Sequence, residues 1–548
     1  MVPSHSVARR QRKTEVQRKS QPWLGLTIGD LPSCLASVQP KRIALVDDKV
    51  QLTRIELKKR IHRLAAAFLN LNITKGDTVL VQLPNWAEFV YSYFALQKIG
   101  AIPVLLISGY GKAEVKHLCH LTEAKAWIVP SVYRNQEYFS WIGEVKADNP
   151  QLSYIVSVRT QRKNRNFTAS LEELLSQPCA RKGQLAAGAS GPRSTDLAHI
   201  LPSGGTTGLP KAIPRTHDDY LSNVHYLHQA GDMEANDVCL LVVPVGHNLA
   251  LLNVVGAMLF GYRLVLLDST RPADICRAIQ AERVTYFPTV PSLINRVLEF
   301  DQRNGFDLTS LRKISAGGEP SAPELIERFC RELDCVYIKE FGMSEGLLCR
   351  TRLDDNLETV CATVGKPVCP QDEIKILDDQ GRQLPAETDG ELAARGPGIF
   401  AGYLKNPEEN RRAFTADGFF RTGDLARIDR SGNLKITGRI KDLINRGGEK
   451  ISPAQIEGLL LSHPDIVDAA VVGMPDAALG EKVCAYVRLA PHKTPGPAAI
   501  KSFLESQGAS RFLIPERFEF VDALPLTEAG KHDKKALRED IRRKLAVC

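Results

Sequence analysis

Several short stretches concentrate residue types that can do chemistry. Residues 203–211 read SGGTTGLPK, with three glycines, two threonines, a serine and a lysine in nine positions. Glycines let the backbone approach a ligand closely and present consecutive N–H groups; hydroxyls add donors and lysine a mobile positive charge. Such a loop suits a polyphosphate. It is not a Walker A loop, because Lys211 follows Pro210 and precedes Ala212, so G-x-x-x-x-G-K-[ST] cannot be laid over it. Taken alone it reads equally as a surface turn, and the downstream chain decides. The apolar run 238–244 ends in Val245-Gly246-His247-Asn248, the run from Lys313 ends in Gly317-Gly318-Glu319-Pro320, and Glu340 opens EFGMSEG. Ligands of open α/β sheets bind at the carboxyl ends of strands. His247 and Asn248 therefore stand where a substrate pocket would be, against the plain alternative of a satisfied core or rim histidine. Near the end, residues 524–531 (LPLTEAGK) form a loop delivering one lysine, Lys531.

The elements that must hold these loops alternate. Residues 42–46 and 77–83 read as strands. Residues 52–71 carry Ile55, Leu57, Ile61, Leu64 and Phe68 at helical spacing, and 86–99 form a second helix. Strands recur at 126–130, 152–158, 263–267 and 285–288, which predicts βαβ units and a largely parallel sheet. From 365 to 429 short strands alternate with Gly/Pro turns, as in a small barrel or antiparallel subdomain. The last hundred residues predict an α+β unit: helices 453–462 and 497–507, strands 467–472, 482–488 and 518–521. The expected fold is α/β: a large N-terminal domain of βα-built sheets with a small β-barrel subdomain, and a small mobile α+β C-terminal domain.

At 548 residues the chain exceeds what one core usually supports. A hydrophobic content of 43% with 24% charged residues describes a globular protein, and no run of 18 apolar residues predicts a membrane span. Of the formal net charge of +8, a local +5 sits in the first twenty residues, on Arg9, Arg10, Arg12, Lys13, Arg18 and Lys19 against Glu15. The remainder is too weakly basic for a nucleic-acid-binding body. That tail lacks the apolar stretch of a secretory signal. Twelve cysteines are scattered without C-x-x-C or zinc-site spacing, which predicts buried thiols in a reducing compartment, the cytoplasm.

Taken in order, SGGTTGLPK, GMSEG (342–346), FFRTGD (419–424), GRIKD (438–442) and the GK ending at Lys531 resemble the adenylate-forming superfamily of acyl-CoA synthetases, luciferases and peptide-synthetase adenylation domains. The match spans nearly the whole chain. Within it the sequence is most similar to stand-alone aryl-acid–AMP ligases, through Ile213-Pro214-Arg215-Thr216-His217, Gly246-His247-Asn248 and the stretch from Gly342 to Asp355. The resemblance implies an AMP-binding domain over 1–438 and a mobile domain over 439–548, with a hinge at Asp442. It implies ATP and Mg²⁺ as cofactors, an aromatic carboxylic acid as substrate, and as acceptor the phosphopantetheine thiol of a separate carrier protein, or coenzyme A; neither nucleic acid nor membrane is implied as a partner.

By the same resemblance Ser203, Gly204, Gly205, Thr206, Thr207, Gly208 and Lys211 cradle the β/γ-phosphates. Gly318, Glu319 and Pro320 line the adenine, Asp424 accepts from the ribose hydroxyls and Arg439 lies near ribose and phosphate. Glu345 is the Mg²⁺ ligand. Lys531 bridges carboxylate and α-phosphate as a point charge, and rotation at Asp442 would withdraw it. His247, Asn248, Asn253, Gly317, Ser344 and Leu348 surround the acid. Amino-acid-activating relatives carry an aspartate near the position of Asn248, so its amide argues for a substrate without an α-amino group. The chain departs from the dihydroxybenzoate pattern at Leu249, which replaces a stacking aromatic, and two cues pull apart: Leu348 would crowd a 3-hydroxyl, whereas Asn253 could satisfy an extra polar substituent. The individual acid stays open between salicylate, dihydroxybenzoate, hydroxypicolinate and other types.

Overall fold

A computed structural model of the chain describes residues 25–134, 136–160, 165–177, 191–203, 209–476, 478–527 and 532–546. Two large sheets dominate the first four hundred residues. The nine-stranded sheet runs, edge to edge, Lys366–Pro367, Leu348–Arg350, Val336–Gly342, Lys313–Gly317, Tyr286–Thr289, Val238–Leu241, Arg263–Leu266, Ile43–Val46 and Gln51–Thr53. The seven-stranded sheet runs Ala169–Ser170, Tyr154–Val158, Ala126–Pro130, Thr78–Gln82, Ile102–Leu106, Leu197–Pro202 and Ala212–Thr216. Both are parallel through their centres and antiparallel at an edge, as crossover helices require.

The two sheets share one middle layer of helices, Arg54–Asn70, Ala87–Ile99, His217–Ala230 and Asn248–Phe260. Ala87–Ile99 and Asn248–Phe260 are apolar nearly all round and accordingly buried. Strand residues sort by parity: Val79 and Val81 face the shared layer, while Leu80 faces outward onto the helices Lys112–Thr122 and Ile142–Asp148. The outer face of the nine-stranded sheet is covered in the same way by Pro272–Glu282, Pro291–Leu298 and Pro323–Leu333.

The strand read over 238–244 stops at Leu241. Beyond it Asn85, reaching over from the other sheet, replaces a neighbouring strand: its amide donates to the Leu241, Val243 and Leu267 carbonyls at 3.2–3.3 Å and accepts from Val245 N–H at 2.9 Å. The small barrel expected over 365–429 is a four-stranded antiparallel sheet, Glu373–Leu377, Gly390–Arg395, Phe420–Ile428 and Leu434–Arg439. Its first and last strands do not pair, since four short strands are too few to close on themselves.

Beyond Arg439 the strands Ile444–Arg446, Glu449–Ile451, Ile466–Asp476, Gly480–Leu489 and Arg517–Phe520 form a separate sheet. One face, with Ala469, Val471 and Val483, packs on Ile456, Leu460, Ile500 and Leu504 of the helices Pro453–Leu461 and Pro497–Ser506. The other face, with Ala470, Val472 and Tyr486, packs on Leu537 and Ile541 of Lys534–Ala546. No described helix is long and apolar enough to cross a membrane.

Candidate active site

A cleft of about 2980 Å³ opens where the carboxyl ends of the two large sheets converge and the C-terminal unit faces them. The convergence is close. Gly246 follows a strand of one sheet and Leu106 ends a strand of the other; a Cβ at Gly246 would lie 2.7 Å from Leu106 O, so no side chain fits.

The glycine-rich stretch joins the antiparallel strands Leu197–Pro202 and Ala212–Thr216. Its neck is closed by Ser203 N–H donating to Lys211 O at 2.8 Å and Lys211 N–H donating to Ser203 Oγ at 2.9 Å. Gly204, Gly205, Thr206, Thr207 and Gly208 lie outside the described residues. The Lys211 ammonium pairs with Glu409 and sits 4.7 Å from the centroid of the Tyr403 ring.

Arg215, four residues further on, is the pillar of the site. Its guanidinium is wholly buried and donates to Asp219 Oδ1, Asn223 Oδ1, Gly398 O and Ser344 O at 2.7–2.8 Å. Asn223 in turn donates to Gly346 O at 2.9 Å. Arg215, Asp219 and Asn223 are spaced by four, which brings them onto one side of the helix His217–Ala230 that Arg215 precedes. Thr216 caps that helix by accepting from Asp219 N–H. One buried cation thus fixes the loop 342–346 to the chain at Gly398. Gly346 has φ +121°, and a Cβ there would strike Gly398 O, so glycine is required.

Glu345 stands in that loop. Its carboxylate accepts from Tyr403 O–H at 2.9 Å, and its carbonyl accepts from Phe400 N–H at 2.8 Å. Burial pushes its pKa up, against the pull of the Tyr403 hydrogen bond and the charges of Arg439 and Arg215. No cluster of three or more candidate metal ligands occurs among the described residues. A single buried carboxylate beside a cleft fits a hard cation that takes its other ligands from phosphate and water, which is how Mg²⁺ is commonly held.

Asp424 and Arg439 are cross-strand partners, joined at 2.7 Å between Arg439 Nε and Asp424 Oδ1. Asp424 is 2% exposed, and its N–H donates to Thr422 Oγ1 at 3.0 Å. Gly317 ends its strand, and Gly318, Glu319 and Pro320 follow along the wall of the cleft. Ser292 N–H donates to Glu319 Oε2 at 3.3 Å.

His247 is the N-cap of Asn248–Phe260, and both His247 and Asn248 line the cleft. Asn248 accepts from Tyr220 O–H at 3.0 Å and donates to Met343 O at 3.3 Å, tying the helix start to the Glu345 loop. Leu249, Leu252, Leu348 and Ser344 complete this end. Asn253 is not among the cleft-lining residues. It lies five positions beyond Asn248, about 140° further round the helix. There it is fully buried behind the wall, with its amide donating to Leu249 O at 2.9 Å.

Across the cleft, Leu526, Thr527, His532, Asp533 and Lys534 of the C-terminal unit line the same space. Lys531 lies outside the described residues. Asp442 ends a single 3₁₀ turn, Ile440–Asp442, and its carboxylate pairs with Arg538 of the last helix at 3.0 Å. The residues that sequence reading did not single out are Arg215 as the pillar, Asn223, Tyr220, Tyr403 and Arg538. For the first two the Arg-x₃-Asp-x₃-Asn spacing was an available signal.

The family model of the AMP-binding enzyme matches residues 35–404, and that of the AMP-binding enzyme C-terminal domain matches 455–531. The chain is 38% identical over 534 residues to the 2,3-dihydroxybenzoate-AMP ligase of Bacillus subtilis, covering 97% of this chain and 96% of that one. It is 38% identical over 524 residues to the salicyl-AMP ligase / salicyl-S-ArCP synthetase of Mycobacterium tuberculosis, covering 94% and 91%. Among solved structures, apo MbtA of Mycobacterium smegmatis superposes with a TM-score of 0.71 at 33% identity, covering 96% of this chain and 97% of that one.

Proposed function

Because the chain belongs to the AMP-binding enzymes, the adenylate-forming ligases, we propose that it activates an aromatic, hydroxybenzoate-like carboxylic acid with ATP and passes the acyl group to the phosphopantetheine thiol of a separate carrier protein, in siderophore or nonribosomal peptide biosynthesis. The acid's carboxylate attacks the α-phosphorus, pyrophosphate leaves, and an acyl-adenylate forms. The thiol sulfur then attacks the acyl carbon and AMP leaves. A benzoate is already ionised near neutral pH, so the first step asks for positioning and charge neutralisation rather than a general base.

The observation that carries the aryl-acid reading is Asn248. It sits between Tyr220 and Met343 O as a neutral amide, beside Leu249, Leu252 and Leu348. An ammonium group would find no carboxylate at that position, whereas an aromatic ring would find apolar walls and one hydrogen-bonding group. His247, Gly317 and Ser344 complete the proposed acid site, and Asn253 supports it from behind. Ser203, the glycine-threonine loop and Lys211 serve the β/γ-phosphates, with Lys211 secondary because Glu409 already neutralises it. Gly318, Glu319 and Pro320 serve the adenine; Asp424, held by Arg439, serves the ribose. Glu345 would hold Mg²⁺, which when bound neutralises the phosphate oxygens. Lys531 is assigned the reacting carboxylate and α-phosphate, an assignment supported by its neighbours Thr527 and His532 lining the cleft. Domains meeting at residue 438 and a hinge at Asp442 follow from the same reading. The enzyme is assigned to the cytoplasm; its described cysteines are free thiols, most of them buried.

The test is acid-dependent pyrophosphate release over salicylate, dihydroxybenzoate, hydroxypicolinate, anthranilate and alicyclic or fatty acids, followed by acyl transfer to a holo carrier protein and, separately, to coenzyme A. Release with hydroxybenzoate-type acids and transfer to the carrier support the proposal. Preference for coenzyme A would reassign the acceptor, and release only with aliphatic or amino acids would sink the aryl reading.

A further inference from the structure

Tyr220 and Asn248 meet at the acid end of the cleft from two different helices. Tyr220 lies in the first turns of His217–Ala230, and Asn248 opens Asn248–Phe260. The Tyr220 side chain is wholly buried. Its ring stands at right angles to His199 with centroids 4.3 Å apart, and the Arg215 guanidinium lies 5.2 Å from its centroid. A ring packed in this way delivers its hydroxyl to one place, 3.0 Å from Asn248 Oδ1. Burial pushes the phenol pKa well above its ordinary value, so the group keeps its proton and donates it.

The identity of each amide atom of Asn248 follows from its partners. Met343 O is a carbonyl and only accepts, so the atom 3.3 Å away is Nδ2. The atom facing Tyr220 is then Oδ1. Turned over, the amide would set oxygen against oxygen at Met343. Without the Tyr220 hydroxyl, of these two bonds only the 3.3 Å one to Met343 O would hold it. An asparagine amide carries two N–H donors and an oxygen with two lone pairs. One of each is spent on Met343 and Tyr220, which leaves one donor and one acceptor on a side chain that lines the cleft. That pair complements a hydroxyl, which both donates and accepts.

We propose that Tyr220 is a positioning residue that sets the direction of the Asn248 amide, and thereby makes the site select aromatic acids bearing a ring hydroxyl over the same acids without one. The proposal rests on the aryl-acid reading above. Tyr220, wholly buried, acts through Asn248. The nucleotide side has supports of its own: Ser203 and Lys211 close the neck of the glycine-rich stretch, Arg439 holds Asp424, and Arg215 pins the Glu345 loop at Ser344 O. Loss of the Tyr220 hydroxyl therefore falls on recognition of the acid and spares that of ATP. A site built around a hydrogen-bonding substituent discriminates against an analogue that lacks it, because its own polar group is then left unpaired.

The test measures steady-state pyrophosphate release with salicylate and with benzoate, in the parent enzyme, Tyr220→Phe, Asn248→Ala and the double variant. Tyr220→Phe removes one oxygen and keeps the ring contacts with His199 and Arg215; thermal unfolding checks that each variant is folded. The parent is expected to favour salicylate over benzoate in kcat/KM. That preference should shrink about tenfold in Tyr220→Phe, the weight of one well-placed hydrogen bond. The change should appear in KM for salicylate, with KM for ATP moving less than about twofold. Asn248→Ala should lose the preference altogether, and the double variant should lose nothing more, because the two residues act as one unit. A Tyr220→Phe enzyme that keeps the parental salicylate-to-benzoate ratio overturns the inference and leaves the aryl-acid reading standing. So does a double variant with a smaller preference than Asn248→Ala alone. Should Tyr220→Phe fold poorly, Asn248→Ala still decides, since an unchanged ratio there removes the amide from recognition. Release with neither acid overturns the aryl-acid reading and this inference together.

Discussion

The two sides of the cleft are built from opposite materials. On the core side, Arg215 is wholly buried and spends four hydrogen bonds on Asp219, Asn223, Gly398 and Ser344, fixing the Glu345 loop before any ligand arrives. On the C-terminal side, Ser452 Oγ donates to Thr437 O at 2.6 Å beside the junction, and the ion pairs that reach the core are partly or largely exposed: Arg488 with Glu299 at 3.5 Å and Lys450 with Asp379 at 3.6 Å. The first kind is expensive to break because the lost partner leaves a buried charge. The second is screened by water and salt. The fold thus puts rigidity where charge must be preorganised and weaker ion pairs on the side proposed to move.

The largest effect that would sharpen this contrast is Arg215→Ala, which should cost about 3–5 kcal/mol of stability by orphaning Asp219 and unpinning the Glu345 loop. Denaturant unfolding reads it, and a loss under about 1 kcal/mol would mean the pillar is dispensable. Next is Lys531→Ala, expected to cut ATP–pyrophosphate exchange by about 10²–10³-fold, the weight of one lost transition-state contact, while sparing thiol transfer from supplied acyl-adenylate. Equal losses in both half-reactions would break the assignment of Lys531 to one arrangement. Asp442→Pro should slow the switch between half-reactions with little change in substrate KM, read by single-turnover transfer after preformed adenylate; weakened substrate binding would instead indicate a folding defect. The smallest effect is Arg488→Ala, expected to change stability by about 1 kcal/mol or less and only at low salt. A larger, salt-independent loss would show that the C-terminal side is held as firmly as the core side.

Much of this was legible in the residues. The alternation of apolar runs gave the parallel sheets, and His247, Asn248, Gly317 and Glu345 do meet at strand ends around one cleft. What escaped depends on contacts far apart in sequence. Asn85 ends a strand 156 residues away by taking over its hydrogen bonds, and no local pattern announces that. The last helix, Lys534–Ala546, is so charged that its buried side is marked by little more than Leu537, Ile541 and Leu545. The hairpin Ile444–Arg446 to Glu449–Ile451 carries a Gly447-Gly448 turn signal that went unread. Asn253 lies behind the cleft wall rather than on it, since five residues along a helix turn a side chain away from its neighbour's face.

The sheet beyond Arg439 is covered by helices on both faces, with its apolar side chains divided between them. Such a body owes little of its stability to what it leans against. If it swings away from the core as proposed, its own apolar faces stay covered by its helices, so each catalytic cycle should exchange little heat capacity. In calorimetry the same independence predicts that the C-terminal unit melts as its own transition, at a temperature indifferent to whether Arg215 is present.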